Sequence, residues 1–113
     1  MERRQRLQGK VVLITGASGG LGEQIAYAAA RRGAVVVATA RRMERLEAVQ
    51  SRCRELSGGP SYAYPLDVAD GEQVEEVLSR IQLDVGPVHV LVNSAGFGLF
   101  AEALETSQDI TED

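Results

Sequence analysis

The chain has 113 residues, enough for one domain at most, with 44% hydrophobic residues, 25% charged residues and no tryptophan. Its formal net charge of −4 argues against nucleic acid as the main partner. The single cysteine, Cys53, excludes an internal disulfide and fits a reducing compartment; a buried helix cysteine is expected rather than a reactive one.

Charge is uneven along the chain. Arg3, Arg4, Arg6 and Lys10 crowd the start, and residues 97–113 carry Glu102, Glu105, Asp109, Glu112 and Asp113 without a base. Residues 1–9 read as a solvated basic arm and residues 101–113 as a solvated acidic tail. The basic start resembles that of a signal peptide, but the apolar run behind it is about four residues long and runs into Thr15-Gly16. No stretch approaches the roughly 18 apolar residues of a membrane span. A cytoplasmic protein with no membrane partner is expected.

Short apolar runs then alternate with longer helical patterns. Val11–Thr15 is the first strand. Residues 21–32 are helical, with Leu21, Ile25, Ala28 and Ala29 on one face and Gly33 as the stop. Residues 34–40, with three consecutive valines, form a second strand of the kind buried on both faces of a parallel sheet. Residues 42–56 are a helix with the stripe Met43, Leu46, Val49, Cys53 and Leu56, ended by Gly58-Gly59-Pro60. Residues 61–66 are a weaker third strand, and Pro65, lacking a donor, puts that position at an edge or a strand terminus. Asp70 is an expected N-cap, with Gln73 completing a capping box and Val74, Val77, Leu78 and Ile81 as the stripe of the helix. Gly86-Pro87 breaks that helix, and residues 88–92 are the fourth strand, with His89 packed inside it. Residues 97–100 are an apolar loop.

Strands joined by crossover helices imply an α/β fold, a doubly wound parallel sheet in the order 3-2-1-4, truncated after the fourth strand. A ligand is expected at the switch point between strands one and four, outside their carboxyl ends, where two glycine-bearing turns fall.

The first turn, Thr15-Gly16-Ala17-Ser18-Gly19-Gly20-Leu21-Gly22, follows a strand and opens a helix. Glycines allow close backbone approach to a ligand, and the free N–H groups of the helix start favour an anion. The spacing Gly-x-x-x-Gly-x-Gly is neither the Gly-x-Gly-x-x-Gly fingerprint nor a nucleotide-triphosphatase loop. A tight turn without a ligand is the alternative. At the end of strand two, Ala40 stands where a carboxylate would hold the ribose hydroxyls of NAD, and Arg41 and Arg42 follow. Two guanidiniums can clamp a 2′-phosphate, which favours NADP(H) over NAD(H); the alternative is a pair of solvent-facing arginines at a helix start. Asp67-Val68, after strand three, can take an adenine amino group and a ring nitrogen, or serve as a turn.

Together these residues resemble the short-chain dehydrogenase/reductase family over roughly residues 7–105. Thr15 to Gly22 match the family's cofactor turn Thr-Gly-x-x-x-Gly-x-Gly, Asp67-Val68 its adenine pair, and Asn93-Ser94-Ala95-Gly96 its Asn-Asn-Ala-Gly motif, with Ser94 departing from the second Asn. The resemblance implies a Rossmann-like domain in which Gly16, Ser18, Gly20, Leu21 and Gly22 meet the phosphates. It puts Arg41 and Arg42 on the 2′-phosphate, Asp67 and Val68 on adenine, and Asn93, Ala95 and Gly96 on the ribose and nicotinamide side. The implied reaction is hydride transfer between NADPH and a small-molecule carbonyl or alcohol.

The family's catalytic Ser, Tyr-x-x-x-Lys pair and helix Asn have no counterpart here. Tyr27, Tyr62 and Tyr64 head no such pair, and Lys10 is the only lysine. The 113 residues alone are therefore expected to be catalytically inactive, with no catalytic and no metal-ligating residue of their own. The alternatives to a cofactor-binding half are a non-catalytic dinucleotide-binding module and an inactive folding fragment. An exposed edge on the fourth strand predicts self-association.

Overall fold

A computed structural model describes residues 6–94. Among the described residues seven elements alternate: β1 (Val11–Thr15), α1 (Gly20–Arg31), β2 (Val35–Ala40), α2 (Met43–Ser57), β3 (Tyr62–Pro65), α3 (Gly71–Asp84) and β4 (Val90–Asn93). The four strands form one parallel sheet in the order β3-β2-β1-β4. The expected α/β topology is thus the observed one. Pro65 ends β3, which is an outer strand of the sheet, so its missing N–H breaks no ladder.

The alternation of β1 explains the two cores. Val12 and Ile14 point to one face with Val36, Ala38 and Ala40 of β2, where α1 and α2 cover them with Ala26, Ala29, Leu46, Val49 and Cys53. Val11 and Leu13 point to the other face with Val37, where α3 supplies Val74, Leu78 and Ile81. Both faces are covered, which is why β1 is buried at all five positions.

The helix ends follow the sequence. Asp70 caps α3, its carboxylate accepting the N–H groups of Glu72 and Gln73. Gly58, with φ 73°, closes α2 in the left-handed conformation that a side chain disfavours.

Four expectations are corrected. The buried face of α1 is Gly22, Ala26, Ala29 and Ala30; Leu21 is 71% exposed and Ala28 only half-buried. The capping box is not reciprocal, because the Asp70 N–H already donates to the Asp67 carbonyl at 3.0 Å. Gln73 instead accepts the Asp67 N–H at 2.8 Å. His89 precedes β4 and is exposed, yet its Nδ1 accepts the Val11 N–H at 2.9 Å and its own N–H donates to the Val11 carbonyl. Residues 6–9 form a turn pinned by the Gly9 N–H on the Gly33 carbonyl and by Leu7 against the core, so this part of the basic stretch is not a free arm. Residues 95–113, with the apolar loop and acidic tail, and residues 1–5 lie outside the described residues.

Candidate functional site

The carboxyl ends of β1, β2 and β3 open into one cleft of about 750 Å³. Its lining joins three segments: Gly16 and Ser18 after β1; Ala40, Arg41 and Arg42 at the end of β2; and Leu66, Asp67, Val68 and Ala69 after β3. Six of the residues singled out in the sequence therefore meet there: Gly16, Ser18, Arg41, Arg42, Asp67 and Val68. The sequence did not signal Leu66 and Ala69, whose apolar side chains carry no chemistry to recognise. Among the described residues the lining comes from the segments that follow β1, β2 and β3.

Each wall has a local cause. Gly16, at φ 65°, turns the chain sharply after β1, in a conformation that costs a side chain about 1–2 kcal/mol. Ala17 behind it is fully buried and donates its N–H to the Thr39 carbonyl at 3.0 Å, which ties the turn to β2. The Leu66 N–H donates to the Ala40 carbonyl at 2.8 Å and joins the ends of β2 and β3 in the same way. The Asp67 carboxylate folds into an Asx turn, accepting the Ala69 N–H at 3.0 Å through Oδ1.

Gly22 has a reason the sequence did not reveal. A Cβ there would lie 2.2 Å from the Gly16 carbonyl oxygen and 2.7 Å from Ser94 Oγ. That glycine lets α1 sit against the turn. The Ser94 hydroxyl in turn donates to the Thr15 carbonyl, and the Thr15 hydroxyl donates to Asn93 Oδ1 at 2.9 Å. Asn93 and Ser94 thus lock the end of β4 to the end of β1. Asn93 Nδ2 is buried without a partner among the described residues. Ala95 and Gly96, the remaining two sequence candidates, lie outside the described residues.

The electrostatics favour an anion. Gly20, Leu21 and Gly22 are not among the lining residues, but they open α1 just after Ser18, and the α1 N-cap, Gly19, makes no side-chain capping bond, so their N–H groups keep their partial positive charge. Arg41 and Arg42 are exposed, and neither forms an ion pair among the described residues. A third guanidinium, Arg45, is held by Glu23 at 3.6 Å. Glu23 also accepts the Tyr27 hydroxyl at 2.7 Å; burial first, then this bond, push the Tyr27 phenol up to about 12. Burial likewise pushes the Cys53 thiol up to about 11, and its Sγ donates to the Ala26 carbonyl, so it is a packed, unreactive group. Among the described residues no three His, Cys, Asp or Glu side chains converge on a metal position, and no helix is long and apolar enough to cross a membrane.

Comparison with known proteins agrees with this fold. The model of the short chain dehydrogenase family matches residues 10–113. A dehydrogenase/reductase SDR family protein 7-like of Drosophila melanogaster is 38% identical over 110 residues, covering 95% of this chain and 34% of the relative. The structure of L-sorbose reductase from Gluconobacter frateurii complexed with NADPH and L-sorbose superposes with a TM-score of 0.76 at 36% identity, covering 84% of this chain and 36% of that one. An alcohol dehydrogenase from the archaeon Thermococcus sibiricus complexed with 5-hydroxy-NADP gives 0.71 at 38% identity, covering 74% of this chain and 36% of that one. The chain spans about a third of the length of the curated relatives it matches.

Proposed function

The chain belongs to the short chain dehydrogenase family, and from that premise we propose that it forms the NADP(H)-binding half of an oxidoreductase. Gly16, Ser18, Gly20, Leu21 and Gly22 place backbone N–H groups on the pyrophosphate. Arg41 and Arg42 take the 2′-phosphate, Asp67 accepts the adenine amino group and the Val68 N–H meets a ring nitrogen. Asn93, Ala95 and Gly96 border the ribose and nicotinamide. Bound NADPH would supply a hydride to a carbonyl carbon of a small-molecule substrate. The residues of this chain bind and orient the dinucleotide.

The observation that carries the reading is the cleft itself. It joins the glycine turn that leads into α1 to two guanidiniums that have no acidic partner among the described residues, with Ala40 where a carboxylate would repel a 2′-phosphate. The NADPH and 5-hydroxy-NADP held by two of the similar structures support the same choice. Arg41→Ala is expected to weaken NADPH roughly tenfold, the scale of one lost charge-assisted hydrogen bond at an exposed site. NADH binding is expected to change little. Equal losses for the two would mean that Arg41 does not read the 2′-phosphate.

These 113 residues contain no Tyr-x-x-x-Lys pair, and we propose that they bind cofactor without turning it over. The lone buried Cys53 supports a reducing, cytoplasmic setting.

A further inference from the structure

Gln73 lies in the first turn of α3 and is not part of the cleft lining, yet it is bonded to the residue that is. Its Oε1 accepts the Asp67 N–H at 2.8 Å, and its Nε2 donates to Asp70 Oδ2 at 3.4 Å. Only the amide oxygen can accept from an N–H, so the orientation of the side-chain amide is fixed by chemistry. Asp70 is itself anchored, its Oδ1 taking the Glu72 and Gln73 N–H groups at 3.1 and 3.2 Å. Gln73 is thus the strut between the rigid start of α3 and the loop that carries Asp67.

The effect on Asp67 is directional. One carboxylate oxygen, Oδ1, is engaged by the Ala69 N–H, which leaves Oδ2 unbonded among the described residues. Which way Oδ2 points is set by the backbone of Asp67. That backbone is held before it by the Leu66 N–H on the Ala40 carbonyl and at Asp67 itself by Gln73. We propose that Gln73 is a positioning residue, which aims the Asp67 carboxylate at the adenine amino group. The proposal rests on the adenine role assigned above to Asp67, and Gln73 itself touches no cofactor.

The test compares NADPH with its hypoxanthine analogue, which carries a carbonyl in place of the adenine amino group, by titration of the full chain. The unaltered chain is expected to prefer NADPH. Gln73→Met keeps the side-chain length but removes the acceptor; it is expected to weaken NADPH roughly tenfold, the scale of one lost hydrogen bond, and to leave the analogue nearly unchanged. Gln73→Glu keeps an accepting oxygen and is expected to restore most of the preference. In an Asp67→Ala background, Gln73→Met should cost nothing further, because the group it aims is gone.

Equal losses for both ligands in Gln73→Met, or losses that add to those of Asp67→Ala, would overturn the positioning role and leave the adenine reading intact. No preference for NADPH in the unaltered chain, or no loss in Asp67→Ala, would overturn the adenine reading and this proposal with it. Amide exchange needs no variant to fold: the Asp67 N–H is expected to be protected, and rapid exchange there would contradict the strut.

Discussion

Two glycines two positions apart do different work. Gly20 has φ 57° with open space around a would-be Cβ, whereas Gly22 would drive a Cβ into the Gly16 carbonyl at 2.2 Å. Backbone cannot swing aside as a side chain can. Gly22→Ala is therefore expected to cost about 3 kcal/mol in urea unfolding, at the upper end for overpacking. Gly20→Ala is expected to cost about 1 kcal/mol, the strain of a left-handed alanine alone. The reverse order would contradict the close approach of α1 to the turn. At this scale the motif was legible in the sequence but its causes were not. A run of glycines shows that room is needed; it does not show that the Gly16 oxygen and the Ser94 hydroxyl press on Gly22. Arg41 and Arg42 were legible as chemistry, and the cleft brings them to Ser18 and Asp67. Gln73 was visible only as a helix-start residue, because its partner is set by how the loop before α3 folds.

The elements were legible where apolar periodicity was strong. Of the expected stripes, Leu46, Val49 and Cys53 in α2 and Val74, Leu78 and Ile81 in α3 are buried, while Met43, Leu56 and Val77 are half-buried. In α1 the large residues misled. The face toward the sheet is built from Gly22, Ala26, Ala29 and Ala30, offset by one position from the stripe that starts at Leu21. Those small residues recur at helical spacing too, but an alanine carries a weaker hydrophobic signal than a leucine. Small side chains are what lets α1 lie close to β1 and the glycine turn. Ala26→Leu, at a fully buried position, is expected to destabilise by about 1–3 kcal/mol, while Leu21→Ala, at an exposed one, should stay within about 0.5 kcal/mol. Thermal unfolding of both variants checks this, and a large loss in Leu21→Ala would restore the face read from the sequence. The β4 boundary was misread for a related reason. Val88 is buried and looks like strand, but the ladder starts at Val90, after His89 has used its ring to meet the Val11 N–H.

For the molecule as a whole, alternating strands and crossover helices fixed the order β3-β2-β1-β4 in advance, because handedness and short connections leave few topologies. The cleft's position was only partly legible. Switch-point reasoning points to the carboxyl end of the sheet, where the described cleft joins the segments after β1, β2 and β3; the residues that follow β4 lie outside the described ones. The sheet also ends in β4, whose outer side meets no other strand among the described residues and whose Val90 is 37% exposed. An open apolar edge is a template for pairing with another chain. We expect the purified 113-residue chain to self-associate in analytical ultracentrifugation, and Val90→Lys to shift it toward monomer. A monodisperse monomer before any substitution would contradict the edge's role.

The cleft as a formed dinucleotide site is the central claim, and calorimetric titration of the 113-residue chain with NADPH and then NADH tests it most directly. The account predicts saturable binding of both, with NADPH the tighter and its advantage shrinking as salt screens Arg41 and Arg42. Binding of neither, or NADH equal to NADPH at low salt, would contradict it.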